Sequence, residues 1–353
     1  MNKKIKVAVI GCGTIGCGQH IPAYLKNENV EIKYLCDVDI TRAENAVKTY
    51  NCGIAISDYR EIVNDPDLDA VSVCTPNNMH AVISEAFLRA GKDVLCEKPA
   101  SDKYSLALEM QQAQRETGRA LNIGVCNRYD DNIRQLKEII DRGELGEIYH
   151  VYASFRANRN IPGLGGAFTT KSIAGGGVMI DWGVHYLDIV MFCCGDPKPK
   201  TVSAETFCRL GKNIGDYVYT DMWAGPPILN GTYDVEDSMI AMIRTAGPTI
   251  TLHGAWAQNI GEHETYIDFI GDKGGARLTY GKSFVLYKTD NGMLTETRYT
   301  AKATNKFENE INTFVDTIKS REKMDNNIDV HIISSEIIDA IYNSAEQHKE
   351  IEL

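Results

Sequence analysis

The chain has 353 residues, 43% hydrophobic and 24% charged, with a formal net charge of −11 at pH 7. That length suits two domains better than one core, and the acidic balance argues against a nucleic-acid surface or an anionic membrane as partner. No apolar run approaches ~18 residues, so no membrane span is expected. The first apolar run, residues 5–10, is too short for a signal h-region and reads as a strand. Ten cysteines are present, with Cys36, Cys74 and Cys96 at or near the ends of apolar strands, where cysteine behaves as a small hydrophobe. Cys193 and Cys194 are adjacent, and no Cys-x-x-Cys pair has zinc spacing. A reduced, cytoplasmic protein without a metal site is expected.

The strand at 5–10 runs directly into Gly11-Cys12-Gly13-Thr14-Ile15-Gly16, a Gly-x-Gly-x-x-Gly turn leading into a helix. Gly11 permits the tight turn, Gly13 lets backbone approach a pyrophosphate, and Gly16 lets helix and strand pack closely. The unpaired N–H groups at the helix start would receive the phosphates. A second apolar strand ends at Leu35-Cys36-Asp37-Val38, placing an acid roughly 20–25 residues beyond the turn, where a ribose-binding carboxylate is expected. A carboxylate there accepts from a 2′-hydroxyl and repels a 2′-phosphate, so NAD is expected over NADP. Arg42, one turn into the next helix, is the residue that would rescue NADP.

Further strands read at 70–74, 94–96 and 120–125, alternating with helices at 41–50, 80–90 and 103–117. Short, continuously apolar strands between helices indicate a parallel sheet covered on both faces. Gly91 and Gly118 stand where helices stop. After Gly146 the pattern changes to strands at 148–156, 201–209, 236–245, 249–258, 264–270, 276–280 and 283–287. Strand after strand implies a mostly antiparallel sheet. One helix at 178–193 interrupts the series, two more at 306–319 and 330–348 close it, and residues 211–230 read as a surface loop. The expected architecture is α/β: an N-terminal Rossmann domain, 1–125, and a C-terminal α/β domain with a large open sheet, 126–353. The last helix is expected to pack back on the first domain.

Two clusters have chemical potential. Cys96-Glu97-Lys98-Pro99 closes the strand at 94–96, and ligands bind at the carboxyl ends of parallel strands; the alternative is a solvated lysine in a turn. Gly175-Gly176-Gly177 opens a helix carrying Asp181, Trp182 and His185. Asp181 and His185, four residues apart, share a helical face, and a carboxylate beside an imidazole sets its tautomer and raises its basicity. Such a histidine is suited to taking a proton from an alcohol; the alternative is a helix cap with a core histidine. The segment 155–174, with Arg156, Asn158, Arg159 and Lys171, reads either as a substrate-side loop or as solvent-facing polar chain.

These motifs, with Cys74-Thr75-Pro76-Asn77-Asn78-Met79-His80 and the closing 337–344 segment, resemble the glucose–fructose oxidoreductase / inositol dehydrogenase / MocA (Gfo/Idh/MocA) family from end to end. The resemblance implies that Lys98, Asp181 and His185 form the catalytic group. It places Thr75, Pro76, Asn77 and His80 on the nicotinamide side and Glu97 near the nicotinamide ribose. Gly11 to Gly16, Asp37, Val38, Cys74 and Lys98 itself complete the expected cofactor contacts. Arg128-Tyr129 matches an Arg–aromatic pair of the family but lacks its following proline; with Arg156, Asn158 and Trp182 it is expected at the substrate. A sugar, glycoside or inositol would be oxidised at a secondary alcohol, in a homodimer or homotetramer. A non-catalytic dinucleotide-binding regulator, and a redox-assisted glycoside-cleaving enzyme using the same first step, are the alternatives.

Overall fold

The computed structural model describes residues 3–219, 222–302 and 304–353, so Thr220 and Asp221 of the expected 211–230 loop lie outside the described residues. The chain divides into two compact units, Met1–Tyr129 with Thr304–Ile332, and Asp130–Ala303 with Ile333–Leu353.

The first unit is built on six parallel strands: β1 (Ile5–Ile10), β2 (Val30–Cys36), β3 (Ile54–Ile56), β4 (Ala70–Val73), β5 (Asp93–Glu97) and β6 (Leu121–Gly124). Their order is β3-β2-β1-β4-β5-β6, so the winding reverses between β1 and β4, the crevice where open α/β sheets bind ligands. Alternation along β1 feeds both faces. Ala8 and Ile10 join a core with Phe87 and Leu88 of α3 (His80–Arg89) and Met110 of α4 (Tyr104–Thr117). Val7 and Val9 join another with Tyr24 of α1 (Ile21–Lys26), Ala43 of α2 (Ile40–Tyr50) and Phe314 of α8 (Lys306–Ser320). Gly118 adopts the left-handed conformation expected of a helix stop, with φ 63°. β3 was not expected. With three residues at the sheet edge and Ile54 57% exposed, it carries too little pattern to read.

In the second unit, α5 (Asp131–Asp141), α6 (Lys171–Ala174), α7 (Val184–Cys193) and most of α9 (Ile328–Gln347) accompany a nine-stranded sheet. The strands are β7 (Ile148–Arg156), β8 (Pro199–Phe207), β9 (Ser238–Thr245), β10 (Thr249–Ala255), β11 (Glu264–Gly271), β12 (Gly274–Thr279), β13 (Phe284–Asp290), β14 (Met293–Tyr299) and β15 (Ile351–Glu352). Their order is β14-β13-β12-β11-β7-β10-β9-β8-β15, antiparallel except for the central β7–β10 pair. Val151, Ala153 and Phe155 of β7 are fully buried under α7, whereas Tyr149, which strand alternation puts on the same face, is 57% exposed near the strand's start. Four elements escaped the sequence reading, among them α6, a single four-residue turn inside the segment 155–174. α5 depends on a local cap, Asp130 accepting from the amides of Asn132 and Ile133. β14 has scarcely a buried residue to set a period, and β15 is two residues long. Among the described residues no helix is long and apolar enough to cross a membrane, and no group of His, Cys, Asp or Glu could hold a metal.

Candidate active site

Steric contact explains the glycine turn. A Cβ on Gly11, whose φ is +105°, would lie 2.3 Å from the Cys74 carbonyl oxygen, and one on Gly16 would lie 2.1 Å from the Gly11 oxygen. Gly13 instead faces open space, with no atom within 4 Å of its would-be Cβ. The helix begins with Thr14 and Ile15, both exposed, and passes at once into a π-turn, Gly16–His20. At the end of β2 the Asp37 carboxylate accepts from the amides of Cys12 (2.9 Å) and Asp39 (3.0 Å), which ties the acid to the glycine turn. Val38 is 95% exposed. Arg42 pairs with Asp39, Nε to Oδ2 at 3.6 Å.

At the ends of β4 and β5, Cys74 and Asn77 are half-buried and Pro76 is exposed. The Thr75 hydroxyl is buried without a hydrogen-bond partner among the described residues. Lys98 is half-buried, and its bond to Pro99 is cis. Glu97 is 8% exposed and accepts from the Lys98 amide (3.1 Å) and from His20 Nε2 (2.9 Å). His20 Nδ1 lies 3.1 Å from the Ser72 hydroxyl, which is 2.7 Å from the Tyr24 hydroxyl. An ionised carboxylate only accepts, so Nε2 carries the proton towards Glu97. Burial works against the Glu97 charge, but the His20 hydrogen bond and the Lys98 and His80 charges hold its carboxyl below the usual range. His80 is placed by the same strand ends, its ring nitrogens directed at two backbone carbonyls, Thr75 and Pro99.

These features suit a dinucleotide. Backbone is pressed close on both sides of an open Gly13, an unpartnered hydroxyl waits beside β4, and a buried carboxylate closes β2.

In the second unit the glycines again mark close approach. A Cβ on Gly176 would lie 2.1 Å from the Tyr342 hydroxyl, and one on Gly177 would lie 2.0 Å from the Glu236 carbonyl. Glu236 accepts from the amides of Gly177 (2.8 Å) and Met179 (3.0 Å) and from the Tyr342 hydroxyl (2.8 Å). Burial pushes its carboxyl up. The expected helix at 178–193 opens as a π-turn, Met179–Gly183, that holds Asp181, and continues as α7 with His185 in its first turn. Every residue of α7 is buried except His185, which is half-buried. Trp256, fully buried just past β10, donates its indole N–H to Asp181 Oδ2 at 3.2 Å.

The residues expected at the substrate are placed as follows. Arg128 and Tyr129 are 1% and 2% exposed in the first unit, and Arg128 donates to the Asp325 carbonyl at 2.7 Å. Arg156 donates to Gln258 and to Glu264, each at 2.9 Å, and Asn158 donates to the Ile260 carbonyl. Arg159 bonds to Asn158, Gln258 and Asn259. These side chains therefore tie 156–159 to 258–264. Trp182 is half-buried against the core of its unit. Lys98 belongs to the first unit, Asp181 and His185 to the second. His20, Trp256, Glu236 and Tyr342 were not expected. His20, four residues past Gly16, was open to notice; the others are distant in sequence from what they hold.

A six-stranded parallel sheet of order β3-β2-β1-β4-β5-β6, carrying a glycine turn and a terminal carboxylate, defines a dinucleotide-binding α/β protein. Residues 5–125 match the family model "Oxidoreductase family, NAD-binding Rossmann fold", and residues 133–277 match the "GFO/IDH/MocA C-terminal domain". The chain belongs to the Gfo/Idh/MocA oxidoreductase family. It is 30% identical to a D-glucoside 3-dehydrogenase of Escherichia coli (strain K12), over 99% of this chain and 97% of that one. It is also 30% identical to an inositol 2-dehydrogenase of Arthrobacter sp. (strain FB24), over 56% of each chain. A levoglucosan dehydrogenase solved with NADH and levoglucosan has the same fold, with TM-score 0.84, 19% identity and 99% coverage of both chains.

The Glu236 contacts generate a stability prediction. Glu236→Gln turns one of two accepting oxygens into a donor that faces an amide or the Tyr342 hydroxyl, at a cost of roughly 1–3 kcal/mol. The denaturation midpoint should fall with the slope unchanged; an unmoved midpoint means that the carboxylate does not hold this turn.

Proposed function

We propose that the protein is an NAD-dependent dehydrogenase that oxidises a secondary alcohol of a sugar, glycoside or inositol to a ketone. The reading is carried by the coincidence of Lys98, Asp181 and His185 with the motif positions of a family to which the whole chain belongs. His185, the one incompletely buried residue of α7, accepts the hydroxyl proton. Asp181, held by the Trp256 indole, orients His185. Lys98 supplies positive charge to the alkoxide-like oxygen, an effect strengthened where water is excluded. Thr75, Pro76, Asn77 and Glu97 would position the ring and ribose of a nicotinamide cofactor, which when bound would supply the acceptor for the hydride that leaves the same carbon.

The first unit serves the cofactor, and the second serves substrate binding and assembly into a homodimer or homotetramer, in the cytoplasm. A glycoside oxidised at C3 is the leading substrate class, supported by the full-length similarity to a D-glucoside 3-dehydrogenase, with inositols next. NAD is favoured over NADP because Asp37 stands where a 2′-phosphate would be repelled, and because Arg42 is engaged by Asp39.

NADH formation against a panel of glycosides, aldoses and inositols tests the activity; no turnover of any would defeat the reading. Lys98→Ala should lower kcat by about 10²–10³-fold while the Kd for NADH, read by fluorescence, stays close to wild type. Undiminished kcat would remove Lys98 from the mechanism. Wild-type kcat/KM should favour NAD over NADP by about 10–100-fold, the scale of a charged hydrogen bond gained or lost, and Asp37→Ser should erase most of that ratio. Equal use of both cofactors by the wild type would refute the role given to Asp37.

A further inference from the structure

We infer that His80 is a buried imidazolium that ties the turn after β4 to the Glu97-Lys98-Pro99 turn, and is thereby a positioning residue for Lys98. The inference rests on Lys98 being catalytic, as proposed above. His80 opens α3 and is 1% exposed, so its ring nitrogens must find partners within the protein. Nδ1 lies 2.7 Å from the Pro99 carbonyl oxygen, and Nε2 lies 2.9 Å from the Thr75 carbonyl oxygen. Carbonyl oxygens only accept. A neutral imidazole has one N–H and one lone pair, so one of these contacts would set lone pair against lone pair in a buried place. Both contacts become hydrogen bonds only when both nitrogens carry protons, and the ring is then a cation. Their lengths suit charge-assisted bonds.

The surroundings supply the matching charge. Of the titratable groups on β5 and its turn, Cys96 donates its thiol to the Glu97 carbonyl, Glu97 is a buried carboxylate that feels the ring's charge, and Lys98 is a second cation on the same turn. From the β4 turn the contact is the Thr75 carbonyl. Burial by itself would lower the His80 pKa, but Cys96 nearby and the two accepting carbonyls raise it to about 9. The folded value stands above the ordinary ~6.5. The proton therefore contributes stability that is full below about pH 6.5 and is lost as pH rises through about 9.

The tie has a mechanical consequence. Thr75 opens the segment proposed to line the nicotinamide, and Pro99 follows Lys98 directly. One ring therefore sets the spacing between cofactor wall and lysine. Misplacement by about 1 Å at such a point costs up to 10²-fold in rate.

Nitrogen NMR of the wild-type protein labelled with ¹⁵N-histidine reads the charge directly, whatever the enzyme turns over. Both His80 ring nitrogens should carry protons at pH 7.5, with a titration midpoint near 9; a single protonated nitrogen at pH 7.5 overturns the imidazolium. The positioning role is read in a double-mutant cycle. His80→Gln, which puts its donors on one nitrogen where the ring has two facing different carbonyls, should lower kcat about 10–100-fold per folded molecule, with the KM for NAD little changed. In a Lys98→Ala background the same substitution should lower kcat hardly further, because the positioned group is gone. A merely structural role would lower both backgrounds equally and would overturn the assignment. Should Lys98→Ala itself be fully active, the failure is that of the proposed mechanism, and the nitrogen spectrum still decides the charge on His80.

Discussion

A carboxylate at the closed end of a buried strand must be hydrogen-bonded on every side or lose its charge, and Glu97 imposes that demand on the first unit. At 8% exposure it is answered by the Lys98 amide and by His20, which Ser72 and Tyr24 hold from behind. Burial of an unpaired carboxylate costs several kcal/mol, so this network is either complete or strongly destabilising. Completing it fixes the alignment of α1, and of the π-turn before it, against β4 and β5. The lysine turn inherits its placement from that alignment.

The second unit meets a similar demand in another way. Glu236, just before β9, caps the glycine-led π-turn and takes a hydroxyl from Tyr342 of α9. The turn that carries Asp181 is thus held by a carboxylate at its start and by the Trp256 indole at Asp181 itself. π-turns insert a residue into a helix and often coincide with functional positions. Here they open both glycine-led helices, Gly16–His20 and Met179–Gly183. Gly16 and Gly177 have a shared reason to lack a side chain: in each case backbone carbonyl occupies the place of the Cβ.

Much of this was legible beforehand where a residue acts through its neighbours in sequence. The apolar strands of the first unit, the helices closed by Gly91 and Gly118, and the switch to consecutive strands after Gly146 all follow from local period and turn chemistry. The elements that escaped, β3, α5, α6, β14 and β15, are short, edge-located or dependent on a single cap, and so carry little periodic signal. Arg156 and Asn158 illustrate a different limit. Polar side chains in a loop read alike whether they await a ligand or bind the opposite strand end, and here their donors reach Gln258, Glu264 and Ile260.

The sequence by itself determined the dinucleotide turn, the acid at the end of β2, the two-part architecture and the family, because each depends on residue types at short, fixed spacings. Only the tertiary structure decided that His20 serves Glu97, that Trp256 holds Asp181, and that His80 faces two carbonyls. Those partners lie up to 77 residues apart. A hydrogen bond requires about 3 Å between specific atoms, a condition that chain spacing cannot express and that packing against buried strand ends imposes.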